Sequence, residues 1–115
     1  MVVELDVFSG RPNPRWQLSQ AETIDVEAAL RDLPRTDASP SEPGLGYRGL
    51  ILMHSTPTAG LVPRVRIHGG LITPMAEGGQ TYRDIHGLER RLLLQAVQHG
   101  YPSMVQERLS ELAAP

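Results

Sequence analysis

The sequence predicts an α+β domain: a three-stranded antiparallel sheet in the order 2-3-1, helices packed on one face, and the succession β-α-β-β-α-α. Three observations carry this expectation. Residues 2 to 8 alternate apolar and acidic side chains, "SQAE" at 19 to 22 has the form of a helix-capping box, and two apolar runs bounded by proline and glycine follow in mid-chain.

In the first strand Val3, Leu5 and Val7 share one side and Glu4 and Asp6 the other, the pattern of a half-buried strand. Pro12 and Pro14 end it, because proline lacks an amide donor and restricts the residue before it. A helix then starts at Ser19, whose hydroxyl and the Glu22 carboxylate can satisfy each other's backbone amides. Its apolar face is expected from Ile24, Ala28 and Leu30 to Leu33, and Pro34 stops it. Residues 34–46, with prolines at 34, 40 and 43, form an irregular surface connection.

"YRGLILMHS" (47–55) and "RVRIHGGLIT" (64–73) read as the second and third strands, with a bulge or a close backbone approach at Gly69 and Gly70. "TYRD" (81–84) is expected to cap a helix that reaches His99, with Ile85, Leu88, Leu92, Leu93, Ala96 and Val97 as its buried stripe. Gly100 ends that helix, and Pro102 opens a last one carrying Val105, Leu109 and Leu112. The strand order follows from charge. Glu4 and Asp6 on the first strand complement Arg64, Arg66 and His68 on the third, and such cross-strand pairs contribute roughly 0.2–1 kcal/mol each, so the third strand is placed in the centre.

Composition narrows the function. At 115 residues, 40% apolar and 21% charged, the chain fits one soluble domain spanning 1–115, without an apolar stretch long enough to cross a bilayer. "MVVELDVF" lacks the basic region and cleavage site of a secretory signal, which predicts a cytoplasmic protein. All 11 basic residues are arginine, a bias that fits a GC-rich bacterial genome. The absence of lysine and cysteine removes Schiff-base and thiolate catalysis, disulfides and Cys-type zinc sites. A formal net charge of −2 argues against nucleic acid as a partner.

The stretch "VFSGRPNPRW" (7–16) sets Arg11 and Asn13 among prolines 12 and 14, just before Trp16. Prolines remove backbone freedom, so a recognition group mounted there loses little entropy on binding, and a guanidinium suits carboxylate or phosphate. The bland alternative is a stiff corner with Arg11 and Asn13 tied to nearby backbone and Trp16 in the core. Arg66 and His68, on the outward side of the third strand, form with Arg64 a row able to receive an acidic ligand, or else a solvated face balanced by Glu4 and Asp6.

His54 and His68 become neighbours in a shifted hairpin register, but two imidazoles fall short of the three protein ligands of a catalytic zinc, so no metal and no cofactor is expected. His99, near a helix end, complements the helix dipole, whereas His86 lies near a helix start. "GLG" (44–46) and "GGQTYRD" (78–84) lack the Walker lysine and the dinucleotide fingerprint and read as turns.

The leading expectation is therefore a noncatalytic binding or accessory protein that recognises a partner protein, a peptide or a small acidic molecule. Arg11, Asn13, Trp16, Arg66 and His68 would make the binding set. One alternative is a small isomerase, cyclase or hydrolase with Arg11 as anion anchor and His54 or His68 as base. The other is a homodimer built on a sheet edge or the last helices.

Overall fold

The structure, a computed structural model, describes residues 1–7, 12–39, 47–54, 64–75 and 78–100. It is an α+β fold. The strands are β1 (Val2–Leu5), β2 (Arg15–Gln17), β3 (Leu50–Met53), β4 (Arg64–His68), β5 (Leu71–Pro74) and β6 (Tyr82–Arg83); the helices are α1 (Gln20–Ala29) and α2 (Leu88–Gln98). The six strands form one antiparallel sheet in the order β2-β1-β3-β4-β5-β6.

Three of those strands are additions to the expected sheet. Arg15–Gln17 returns along β1 with Trp16 opposite Val3. The expected third strand is a hairpin: His68 pairs with Leu71 across Gly69 and Gly70, whose φ values of 63° and 81° are those of a tight two-residue turn rather than a bulge. "TYRD" contributes β6 before it contributes a helix cap, and Arg35 bridges to Tyr82 beyond it, so part of the 34–46 connection adds to the sheet.

The strand order also differs from expectation. β3, the second strand of the sequence reading, lies between β1 and β4. Its run Leu50, Ile51, Leu52 is buried on both faces of the sheet, which only a central position allows. Burying one such aliphatic side chain contributes about 1.5–3 kcal/mol, more than a cross-strand charge pair. The charge pairing nevertheless survives, since the Arg66 side chain reaches over β3 to Asp6 at 2.7 Å.

One face of the sheet carries the core. Val3, Leu5, Trp16, Leu50, Leu52, Val65, Ile67 and Ile72 pack with Val26 and Ala29 of α1 and with Leu88, Leu92, Leu93 and Ala96 of α2. Both helices thus cover the same face, as the pattern predicts. The Ser19–Glu22 capping box is present with both reciprocal hydrogen bonds. α1 ends at Ala29 instead of Leu33, and its inward side chains are Val26 and Ala29, whereas Ile24 is 59% exposed. A ten-residue helix ends before the Leu30–Leu33 run, so those leucines pack against the core from a turn.

α2 begins at Leu88, and Ile85 lies exposed in the turn before it. Asp84 caps it from outside, its two carboxylate oxygens accepting the Leu88 and Glu89 amides at 2.7 and 2.9 Å. The expected last helix, "GLG" and Arg11 lie outside the described residues. No helix among the described residues is long and apolar enough to cross a membrane.

Candidate functional site

The face of the sheet turned away from the helices carries the charged side chains of the strands. Strict alternation places Glu4 and Asp6 of the first segment there, with Arg15 of β2, Arg64, Arg66 and His68 of β4, Thr73 of β5 and Arg83 of β6. One row across the sheet reads Arg15, Glu4, Ile51, Arg66, Thr73.

Asp6 is the hub. Its backbone N–H donates to Gly49 O at 3.0 Å and its carbonyl accepts from Arg48 N at 2.8 Å, so two residues of the incoming β3 segment face this one residue as a bulge. That bulge aims the Arg48 side chain at the Asp6 carboxylate. Arg48 Nη2 donates to Oδ1 at 2.9 Å and Arg66 Nη1 to Oδ2 at 2.7 Å, while the same Arg66 nitrogen donates to Arg48 O at 2.8 Å. Glu4 receives Arg15 Nε at 2.6 Å. Asn13 ties the set together: its Oδ1 accepts from Val7 N, and its Nδ2 lies 3.2 Å from both Glu4 Oε2 and Asp6 Oδ1.

This arrangement is layered. The carboxylates of Glu4 and Asp6 keep only 10% and 11% of their side-chain exposure, whereas Arg48 and Arg66 keep 29% and Arg15 keeps 61%. Negative charge lies underneath and guanidinium groups lie on top. Among the described residues two carboxylates, Glu4 and Asp6, hold three arginines, Arg15, Arg48 and Arg66. Arg66 spends Nη1 within the protein and keeps Nε and Nη2 available, and neither Arg64 nor Arg83 takes part in an ion pair among the described residues.

His68 stands beside Arg66 on the same face, its ring 5.5 Å from that of Tyr47. Gly49 makes this contact fit. Its φ is +103°, and a Cβ there would fall 2.7 Å from Ile67 O and 2.8 Å from His68 Cβ. The Tyr47 hydroxyl in turn donates to Glu89 Oε2 at 2.5 Å, which gives a carboxylate only 1% exposed a charge-assisted partner.

Of the five residues singled out from sequence, the structure brings Asn13 and Arg66 together around Asp6 and places His68 next to Arg66. Trp16 faces the other way. It is buried in the core, where Nε1 donates to Gln95 Oε1 at 2.9 Å and its ring lies 5.6 Å from that of His99. Arg11 falls outside the described residues.

His54 and His68 are not neighbours. The register sets His68 across from Gly49, five residues from His54, a separation of about 16 Å along the strand. Among the described residues neither imidazole is hydrogen-bonded to a hydroxyl or carboxylate, as a general base would require. Burial holds the His54 imidazole below its ordinary pKa of 6.5; Glu27 opposes that shift and the chain's amino terminus adds to it. No group of three or more His, Asp or Glu side chains gathers to hold a metal among the described residues.

Arg48 and Tyr47 were missed in the sequence reading. The bulge at Gly49 turns Arg48 toward Asp6, whereas Tyr47 packs against the core and reaches Glu89 of α2; the glycine directly ahead of an apolar run was the available signal. Compared with known proteins, the chain matches no family model, no curated protein and no solved structure.

Proposed function

We propose that this chain is a noncatalytic binding protein whose charged sheet face receives an acidic segment of a partner protein. The observation that carries the reading is the state of Arg66: one nitrogen anchored on Asp6 and Arg48 O, the other two turned to no group of its own protein among the described residues. An arginine fixed through part of its fork loses little side-chain entropy when the rest engages a carboxylate. Arg64, His68, Thr73 and Arg83 extend the same face, with no described acidic side chain among them. Arg11 belongs to this reading as a further guanidinium beside Asn13 in the sequence. A carboxylate-bearing peptide is favoured over a nucleic acid because the chain as a whole carries a formal charge of −2.

Calorimetric titration of the full chain with a hexaglutamate peptide tests the reading, with a hexalysine peptide and a single-stranded oligonucleotide as controls. Hexaglutamate binds, and binding weakens as salt is raised. Arg64→Glu, at an exposed residue with no ion pair to lose among the described residues, lowers affinity about tenfold, equivalent to about 1.4 kcal/mol. Arg11→Ala also weakens binding while leaving the thermal midpoint in place. Absence of binding, indifference to Arg64→Glu, or tighter binding of the oligonucleotide overturns the proposal.

A further inference from the structure

One row of the charged face is apolar apart from a single arginine. Val2 pairs with Met53 and Met53 with Arg64, and Met75 N donates to Arg64 O at 3.0 Å. Val2, Met53, Arg64 and Met75 therefore stand side by side on β1, β3, β4 and the residue that continues β5. All four point away from the helices, because Val3, Leu52 and Val65 belong to the core and Pro74 is buried opposite Val65. At about 4.8 Å per strand the row is about 14 Å long.

Exposure rises along the row. Val2 and Met53 are half-buried, Arg64 is exposed, and Met75 is 41% exposed. The other large apolar side chains exposed to that degree among the described residues, Ile24, Ile85 and Leu94, lie on α1, in the turn before α2 and on α2, not on the sheet. Outward positions of a solvated antiparallel sheet are ordinarily polar. Here a guanidinium with no ion pair among the described residues is instead flanked by two thioethers, whose unbranched chains adapt their shape to an aliphatic group that meets them.

We infer that the acidic segment received by this face carries a large aliphatic side chain beside its carboxylates. The inference rests on the acidic-segment reading and adds its specificity. Arg64 and Arg66 are two residues apart on β4, about 7 Å along the strand, so two carboxylates of the segment can meet them. An aliphatic side chain next to the carboxylate on Arg64 then lands on Met75 or Met53. That contact also excludes water from the ion pair, which strengthens the attraction between its charges. A tenfold gain in affinity requires about 60 Å² of apolar surface to be buried, an area that one leucine against one methionine supplies.

Calorimetric titration of the full chain with two hexapeptides of equal charge, Glu-Glu-Leu-Leu-Glu-Glu and Glu-Glu-Ser-Ser-Glu-Glu, beside hexaglutamate, tests the inference. The leucine peptide binds about tenfold tighter than the serine peptide, with a more negative heat capacity of binding. Both affinities fall as salt is raised, while the ratio between them persists. Met75→Ser removes the difference between the two peptides and, at an exposed side chain, leaves the thermal midpoint in place. Arg64→Glu weakens both peptides and keeps the difference. Equal affinities of the two peptides, with hexaglutamate still bound, overturn the inference and leave the acidic-segment reading standing; no binding of any of the three overturns both. A leucine advantage that survives Met75→Ser also overturns the inference, since the aliphatic group then lies elsewhere.

Discussion

Replacing Asp6 with alanine removes the carboxylate on which Arg48 and Arg66 both rest, at 2.9 and 2.7 Å. Breaking a buried ion pair by deleting one partner costs about 3–5 kcal/mol, because the surviving charge is left uncompensated. Here two arginines lose the carboxylate they share, but each keeps 29% of its side-chain exposure and water takes over part of the lost interaction. The expected cost is therefore about 2–3 kcal/mol, a large fraction of the 5–15 kcal/mol by which a domain of this kind is stable. In thermal unfolding that corresponds to a drop of about 8–12 °C.

Urea unfolding followed by the fluorescence of Trp16 reads the loss directly, since this only tryptophan lies in the core between β2 and α2. The midpoint falls with little change in slope. Arg15→Ala provides the contrast: its partner Glu4 is equally covered, but Arg15 is 61% exposed, so the loss is about 0.2–1 kcal/mol. An Asp6→Ala loss below about 0.5 kcal/mol, or one no larger than that of Arg15→Ala, would show that the Asp6 cluster is a screened surface network and not a buried mount.

Gly49→Ala combines a left-handed φ of +103° with a Cβ 2.7 Å from Ile67 O, and costs more than about 2 kcal/mol by the same urea assay, whereas Gly70→Ala, strained at φ +81° but open in space, costs about 1 kcal/mol. His54 gives stability a pH dependence. Its folded pKa lies below the unfolded 6.5, so the unfolded chain binds the proton more readily; the contribution is present above pH 6.5 and is lost as pH falls through the folded value. His54→Gln flattens that part of the profile, and an unchanged profile contradicts the assignment to His54.

The apolar patterns of the sequence were enough for the α+β class, the α1 cap and most of the α2 stripe, because periodicity and capping chemistry are local, whereas the α1 face expected from Ile24 and Ala28 is instead Val26 and Ala29. β2 and β6 escaped because strands of three and two residues carry almost no periodic signal, and "RWQ" reads as loop once two prolines precede it. The Gly69–Gly70 hairpin was legible from the glycine pair itself; a long apolar reading across it hid the turn. Strand order failed for a different reason. Opposite charges signal proximity, but an arginine side chain is long enough to satisfy that signal across an intervening strand, as Arg66 does over Ile51. Arg66 and His68 were correctly placed on one face, while the bulge that adds Arg48 depends on a positive φ at Gly49 that no pattern of hydropathy encodes.

The most direct measurement is the side-chain Nε–Hε resonance of Arg66 in 15N-labelled protein during titration with hexaglutamate. Engagement of the fork moves that resonance in step with binding and slows its exchange with water, while the Trp16 indole resonance, in the core, stays in place. An Arg66 resonance that does not move while the peptide binds contradicts the claim that Asp6 holds this guanidinium ready for a partner.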